Sequence, residues 1–509
     1  MTTTQKIQKR LNDSKAARWT ALIIVSFTMM MAYFFTDVMG PLEAPLTTKG
    51  ELVYFDNGTY LSADSLSKIT VSEEFSTKNI AIGNSYDIEY KNKEGKVINE
   101  TVVVSSTIEG LGWGKDDYGF FSGAYGFINV FLFMLFFGGL ILDRMGVRFT
   151  GLMSTALMFI GAAIKWYAVD NSFTGELCGM PTQIALACLG FAIYGMGCEI
   201  AGITVTKVIA KWFTGHEMAL AMGLQVALAR VGTACALFFA LPIAQSFGLV
   251  SSPVMFGAAA LCIGMLSYIV YCVMDKKLDK SQPATENSDN SEEEQFKLSD
   301  LKIIFCNKGF WLITFLCLIF YSAVFPFLKF ATNLMIIKYN VSPDLAGAIP
   351  GLLPFGTILL TPLFGSLYDK MGKGATLMLI GSVLLTVVHV LFAMPLLNVW
   401  WFAVIVMILL GISFSLVPSA MWPSVPKIIP MKQLGSAYAI IFYIQNIGLS
   451  MVPVLIGKVI KHCTVNDVTD YTMPMSIFAA FGAVAVLISL LLKFVDKKHG
   501  YGLEEKNEK

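Results

Sequence analysis

Two ionisable residues stand inside otherwise apolar sequence and could do chemistry together. The stretch 195–233, GMGCEIAGITVTKVIAKWFTGHEMALAMGLQVALARVGT, reads as two antiparallel helices joined by a short turn at Trp212–Glu217. With a helical rise of about 1.5 Å per residue, Glu199 lies roughly 18 Å from Lys211 on the first helix, and Arg230 roughly 19 Å from Glu217 on the second. Acid and base therefore share a depth, well inside a hydrocarbon layer about 30 Å thick. Ionisable groups at that depth are costly and face a partner or a water-filled cavity. Two chemistries follow. The residues could brace two helices as an ion pair, or act as separate poles that grip a small zwitterion. No nucleophile–base set, phosphate loop or metal-ligand spacing accompanies them, so catalysis, a cofactor and a metal site are not expected.

The elements that must position this pair are membrane spans. The chain of 509 residues is 55% hydrophobic, and its mean hydropathy of +0.64 is outside the range of soluble domains. Apolar runs long enough to cross a bilayer are expected near 19–41, 118–142, 150–169, 182–210, 218–246, 253–274, 309–335, 345–368, 375–396, 399–422, 434–461 and 472–494. Twelve spans in two halves of six make an all-α membrane protein. Its halves comprise 19–41 with 118–274, and 309–494. Basic residues before the first span (Lys6, Lys9, Arg10, Lys15, Arg18) place both termini, 1–18 and 495–509, in the cytoplasm. Residues 275–308 are the expected cytoplasmic linker; 275–300 of it are polar and almost free of large apolar side chains, so that stretch and the tail from Lys497 are expected to be mobile. Most of the nine cysteines fall in apolar spans and imply no disulfide framework; a net charge of +1 with no basic tract implies no nucleic-acid partner. The lipid bilayer is the expected surrounding.

Residues 42–117 interrupt the helices on the non-cytoplasmic side. Alternating runs (VYF, YDIEY, VINETVVV), with turn signals at Asn57-Gly58 and Glu94-Gly95, predict a small β-rich insertion. It is acidic, with 7 Lys against 12 Asp and Glu from Lys49 to Asp117, and is expected to be a separate solvated cap and a possible docking point for a partner.

An internal repeat relates the halves. Gly139, Asp143, Arg144, Gly146 and Arg148 follow the second span, and Gly365, Asp369, Lys370 and Gly372 follow the eighth. Such turns combine glycine, where helices pack closely, with an acid beside bases, and are candidate gates. A second correspondence keeps one offset of 216 residues through Gly195/Gly411, Lys211/Lys427 and Gly232/Gly448. Parallel repeats are the expected source of that symmetry. The offset maps Glu199 onto Ser415 and Arg230 onto Asn446, so one half is ionic and the other neutral but polar, which suits an asymmetric ligand between them. Asn446 is thus a candidate binding residue, with Gln445, Tyr443, Tyr321 and Tyr33 near the same depth and Trp422 at the cytoplasmic end of the tenth span. Asp37 and Lys329 are placed to pair across the external mouth, and Lys165 to snorkel to the interface.

The paired GxxxD-(R or K)-xG turns and the twelve spans resemble the major facilitator superfamily. The strings GMGCE, WFTGHE, GLQVALARVG, FYSAVFPF, PLFGSLYDKMG, AMWPSVP and LGSAYAIIFYIQNIG resemble, within it, the family of lysosomal dipeptide transporters and their microbial relatives. The resemblance covers nearly all twelve spans but not the 42–117 insertion. It implies alternating-access transport of short peptides, dipeptides foremost, with Glu199 and Arg230 contacting the peptide's ends. An organic-anion carrier, with Arg230 on a carboxylate and Glu199 carrying a proton, and a non-transporting receptor remain open alternatives. The ExxER signature of proton-coupled oligopeptide carriers is lacking, so their coupling scheme is not implied, and uniport and proton symport both stay open. The N-terminus has no acidic dileucine signal, which directs the expected location to the cell membrane of a microbe rather than the lysosome.

Overall fold

A computed structural model describes residues 11–57, 59–70, 80–91, 97–213, 216–281, 304–395, 397–430, 433–465 and 468–505. The helices of its crossings are α1 (Lys15–Asp37), α2 (Lys115–Ala124), α3 (Phe127–Phe131), α4 (Met134–Asp170), α5 (Thr182–Phe213), α6 (Met218–Phe247) and α7 (Ser251–Ser281) in the first half. The second half has α8 (Lys308–Tyr339), α9 (Ala348–Met371), α10 (Gly374–Ala393), α11 (Trp400–Ile428), α12 (Leu434–His462) and α13 (Thr472–His499). Among the described residues, eleven helical segments are long and apolar enough to cross a membrane. Large apolar side chains such as Leu359, Leu487 and Phe494 are exposed on them, which suits a lipid surface and not water.

The second crossing is not one of the eleven because it is broken. It is assembled from α2, α3 and the first part of α4, interrupted at Tyr125–Gly126 and again before Phe133, which is left-handed at φ 52°. The sequence reading had it as one continuous helix. Gly146, at φ 75°, then turns the chain inside α4, and Gly372, at φ 67°, ends α9 at the matching place in the other half. Both conformations lie where a Cβ is strained, which explains glycine at these positions of the repeat.

The turns are tied down by charge within each half. Arg148 pairs with Asp279 at 2.7 Å, and Lys211 bridges Asp275 and Asp279 at 2.8 and 2.7 Å. Asp275 is fully buried and also accepts from Trp212 Nε1 and Tyr271 Oη, so its charge is well compensated. The expectation of a mobile stretch from residue 275 is therefore corrected: α7 continues to Ser281, and 282–303 lie outside the described residues. Lys427, the counterpart of Lys211, donates to the carbonyls of Gly502 and Glu505. Leu503 is fully buried and Glu504 accepts from the Thr376 N–H, so residues 501–505 are a packed strap and not a mobile tail. Lys165 does not snorkel. It is fully buried, with Nζ 4.2 to 5.2 Å from the ring centroids of Phe35, Phe121 and Phe191.

The insertion between α1 and α2 is an antiparallel four-stranded sheet in the order β2-β1-β4-β3, with β1 Lys49–Phe55, β2 Tyr60–Ser62, β3 Ser85–Lys91 and β4 Val97–Leu111. The predicted Glu94-Gly95 turn and Gly58 lie outside the described residues. Val53, Phe55, Leu66, Ile88, Val102 and Val104 give the sheet a small core of its own. It is also docked. The Glu109 N–H donates to Gly248 O of the first half, and Tyr60 Oη donates to Asn333 Oδ1 of the second.

Candidate functional site

A cavity of about 310 Å³ lies between the halves. That is at the lower end of small-molecule sites, which run to roughly 300–1,000 Å³. Glu199 from α5 and Arg230 from α6 both line it, as do Tyr33 from α1, Tyr321 from α8, Trp422 from α11, and Gln445 and Asn446 from α12. The two charges do not pair with each other. Glu199 Oε1 accepts from Tyr125 Oη at 2.8 Å. The Arg230 guanidinium stands 5.7, 5.5 and 5.7 Å from the ring centroids of Tyr33, Phe325 and Phe414. Among the described residues neither has an ion-pair partner, which removes the reading of a bracing salt bridge.

This arrangement has a chemical consequence. Aromatic faces stabilise a guanidinium without using its N–H groups, so the planar fork of Arg230 remains available for a carboxylate. Glu199 receives one neutral hydrogen bond and retains acceptor capacity for a cation. A ligand carrying both charges would complete both groups.

The neutral candidates differ in what they offer. Asn446 Nδ2 donates to Phe442 O at 3.0 Å, while its buried Oδ1 has no partner among the described residues. Gln445 Oε1 accepts from Cys317 Sγ, and Trp422 Nε1 donates to Tyr321 Oη at 3.2 Å, with the Trp422 ring stacked on Phe442. Tyr443 does not line the cavity: its hydroxyl donates to Val130 O and its ring stacks on Phe133, so it joins α12 to α3. Tyr125 was missed. It sits at the first break in the second crossing, where Gly195 of α5 lets the backbones meet; a Cβ on Gly195 would lie 2.0 Å from Tyr125 O. That contact aims the Tyr125 ring across to Glu199, one turn further along α5.

Above the charges the cavity is roofed by Asp37 and Lys329, which pair at 2.7 Å, as their depth predicted. Lys329 also donates to Thr36 O, and Tyr118 Oη to Lys329 O. Lys461 and Asp116 add a second ion pair between the halves on the same side. The Lys329–Asp37 and Lys461–Asp116 pairs both cross between the halves on the insertion side, while on the opposite side Arg148 and Lys211 pair within the first half. These two pairs tie the halves together on the insertion side. Of the candidate gate residues, Gly139 and Gly365 face open space, and Arg144, Asp369 and Lys370 are exposed. The Asp143 side chain lies outside what is described.

Two halves of six crossings about a central polar cavity are the architecture of one transporter family, and the family model for the Major Facilitator Superfamily matches residues 98–453 and 329–508. The chain belongs to the major facilitator superfamily. Relatives in this superfamily include the lysosomal dipeptide transporter MFSD1 of Homo sapiens, 27% identical over 389 residues, which cover 74% of this chain and 78% of the relative. The MFSD1 of Danio rerio is 29% identical over 388 residues, covering 73% and 77%. Among solved structures, the nucleoside transporter NupG superposes with a TM-score of 0.63 at 13% identity, covering 94% of this chain and 98% of NupG. A bacterial homolog of the human lysosomal transporter Spinster, in an inward-facing and unoccupied conformation, gives 0.63 at 12% identity, covering 95% and 98%. At those identities the likeness is one of fold.

Proposed function

We propose that this multi-pass superfamily member carries short peptides, dipeptides foremost, bound as zwitterions in the central cavity. The observation that carries the reading is that Glu199 and Arg230 face one cavity without pairing. The α-ammonium goes to Glu199 and the α-carboxylate to Arg230, with Asn446 and Gln445 offered to the peptide amide. The names of the curated relatives support dipeptides as the substrate class, and favour a lysosomal membrane over the cell membrane expected from the missing sorting signal. Transport is assigned to rocking of the halves about this site. In the opposite state, with the insertion side open, Asp143 and Asp369 would pair with Arg144, Arg148 or Lys370 to hold the other side shut. Asp143→Asn is then expected to slow transport more than it weakens binding.

The test is uptake of labelled dipeptides by the purified protein in proteoliposomes, with and without a pH gradient. Free dipeptides are expected to enter, and dipeptides capped at either end to be excluded, because a buried charge left unpaired costs several kcal/mol. A monocarboxylate that enters as readily as a dipeptide would establish the organic-anion reading instead, and no uptake with intact folding would favour a receptor.

A further inference from the structure

The central cavity has unlike walls. Glu199, Thr36, Ser122 and Tyr125 line it from the first half, with hydroxyls beside the carboxylate, whereas Tyr321, Phe325, Trp422 and Phe442 line it from the second. The four rings form a continuous row that starts at Arg230. Phe325 lies 5.5 Å from the guanidinium and packs on Tyr321 at 5.6 Å. Tyr321 meets Trp422 edge-on at 6.4 Å, and Trp422 stacks on Phe442 at 5.0 Å. Phe414 backs the row, 5.4 Å from Phe325 and 5.7 Å from Tyr321. Hydrogen bonds hold its middle: Trp422 Nε1 donates to Tyr321 Oη, and Tyr438 Oη donates to Trp422 O. The far end is uncovered. Phe442 is 41% exposed, although it lines the cavity. An aromatic surface that is held in place and partly bare suits an apolar group, because area is buried there without reorganising the wall.

We propose that this row is a side-chain subsite, which selects dipeptides whose C-terminal residue is large and aromatic or aliphatic. The proposal rests on the assignment above of the α-carboxylate to Arg230 and the α-ammonium to Glu199. In a C-terminal residue the carboxylate and the side chain leave the same carbon. A carboxylate on Arg230 therefore brings that side chain beside Phe325 and Tyr321. Asn446 and Phe442 lie one turn apart on α12, so a peptide amide held at Asn446 sets the next side chain over the Trp422–Phe442 stack. The Glu199 end offers the N-terminal side chain something else. Tyr125 Oη is spent on Glu199, the Thr36 hydroxyl meets Tyr194 Oη at 3.0 Å, and the Tyr194 ring lies beside Tyr125. A large apolar group placed among these hydroxyls gains less than it does on the aromatic row.

The experiment titrates the sequence isomers Gly-Phe and Phe-Gly into the purified full-length protein in nanodiscs by calorimetry. The isomers share composition and both terminal charges, so their affinity ratio reads only where the ring is placed. Wild type is compared with Phe442→Ala and the milder Phe442→Leu, each checked for a cooperative thermal transition. Wild type is expected to bind Gly-Phe roughly tenfold more tightly than Phe-Gly, the scale for burying most of an aromatic side chain. The ratio should fall to about twofold or less in Phe442→Ala and take an intermediate value in Phe442→Leu. A ratio within one protein is insensitive to a partial loss of folded material. Equal affinities in wild type, tighter binding of Phe-Gly, or a ratio that both Phe442 variants leave unchanged would overturn the subsite while leaving dipeptide binding in place. Failure of folded wild type to bind either isomer would instead overturn the dipeptide reading, and the subsite with it.

Discussion

Tyr125 Oη donates to Glu199 Oε1 at 2.8 Å, from the residue at which the second crossing breaks. The break and the contact have one cause. A straight helix would continue past the Gly195 position of α5, whereas the interrupted one turns the Tyr125 ring inward, between Phe191 and Tyr194. Glu199 is thereby held by a neutral donor that can remain while a ligand's ammonium arrives. A basic residue in that place would satisfy the carboxylate and compete with the ligand.

Tyr125→Phe keeps the ring packing and removes that donor. A hydrogen bond to a charged group contributes about 1.5–3 kcal/mol, so dipeptide affinity should fall roughly tenfold or more. N-acetylated dipeptides, which bring no ammonium, should lose little. Affinity for the free dipeptide that stays at the wild-type value would show Tyr125 to be packing alone.

Arg230→Lys tests the aromatic surround. An ammonium cannot offer the bidentate fork, and it cannot spread over three rings as the guanidinium does. Dipeptide binding should weaken by at least an order of magnitude, on the basis of about 1.5–3 kcal/mol for a lost charged hydrogen bond. C-terminally amidated dipeptides should be nearly insensitive to the change. Equal losses for amidated and free dipeptides would remove Arg230 from the carboxylate end.

The depth argument found this pair because helical rise and apolar flanks fix it without knowledge of packing. It also placed Asp37 opposite Lys329. Packing decided the rest. Tyr443 shares a helix and a depth with Asn446, but rotation about the helix axis directs it to Phe133 and Val130. Lys165 looked free to reach the interface, yet three aromatic residues from α1, α2 and α5 enclose it. Tyr125 could have been suspected from GFFSGAYGF, where glycines at 119, 123 and 126 are poor continuous-helix residues and allow close approach. The tail composition looked solvated because the backbone contacts that hold it leave no mark on side-chain identity.

The Asp37–Lys329 pair is expected to set the balance between the two states. Lys329→Ala removes a link between α1 and α8 and should populate the form open on the insertion side. A cysteine introduced at Ser122, which lines the central cavity, should then react several-fold faster with an impermeant maleimide applied from that side. An unchanged rate would place the seal elsewhere, at Lys461 and Asp116.

Residues 501–505 do in the second half what Asp275 and Asp279 do in the first: they satisfy the repeat's lysine. Removal of the chain after Gly500 takes away two acceptors of Lys427 and the buried Leu503. The thermal midpoint should fall by on the order of 2 °C or more. Dipeptide affinity should not change, since the strap is remote from the cavity. A midpoint equal to that of the full chain would show the strap to be energetically idle.

The inserted sheet is the remaining question of division of labour. Its own core and its position between α1 and α2 let it be replaced by a short Gly/Ser linker, because closure entropy grows only slowly with loop length. No residue lining the central cavity belongs to the inserted sheet, so the purified replacement should bind dipeptides as wild type does. The sheet nevertheless ties both halves together on the insertion side, through Gly248 in one and Asn333 in the other. Loss of those ties should raise the maleimide reactivity of the Ser122→Cys probe in the direction of Lys329→Ala, and shorten the protein's lifetime in cells. Dipeptide binding by calorimetry and probe accessibility by labelling rates read the two effects separately. A folded replacement that no longer binds dipeptides would mean that the sheet helps to form the central site.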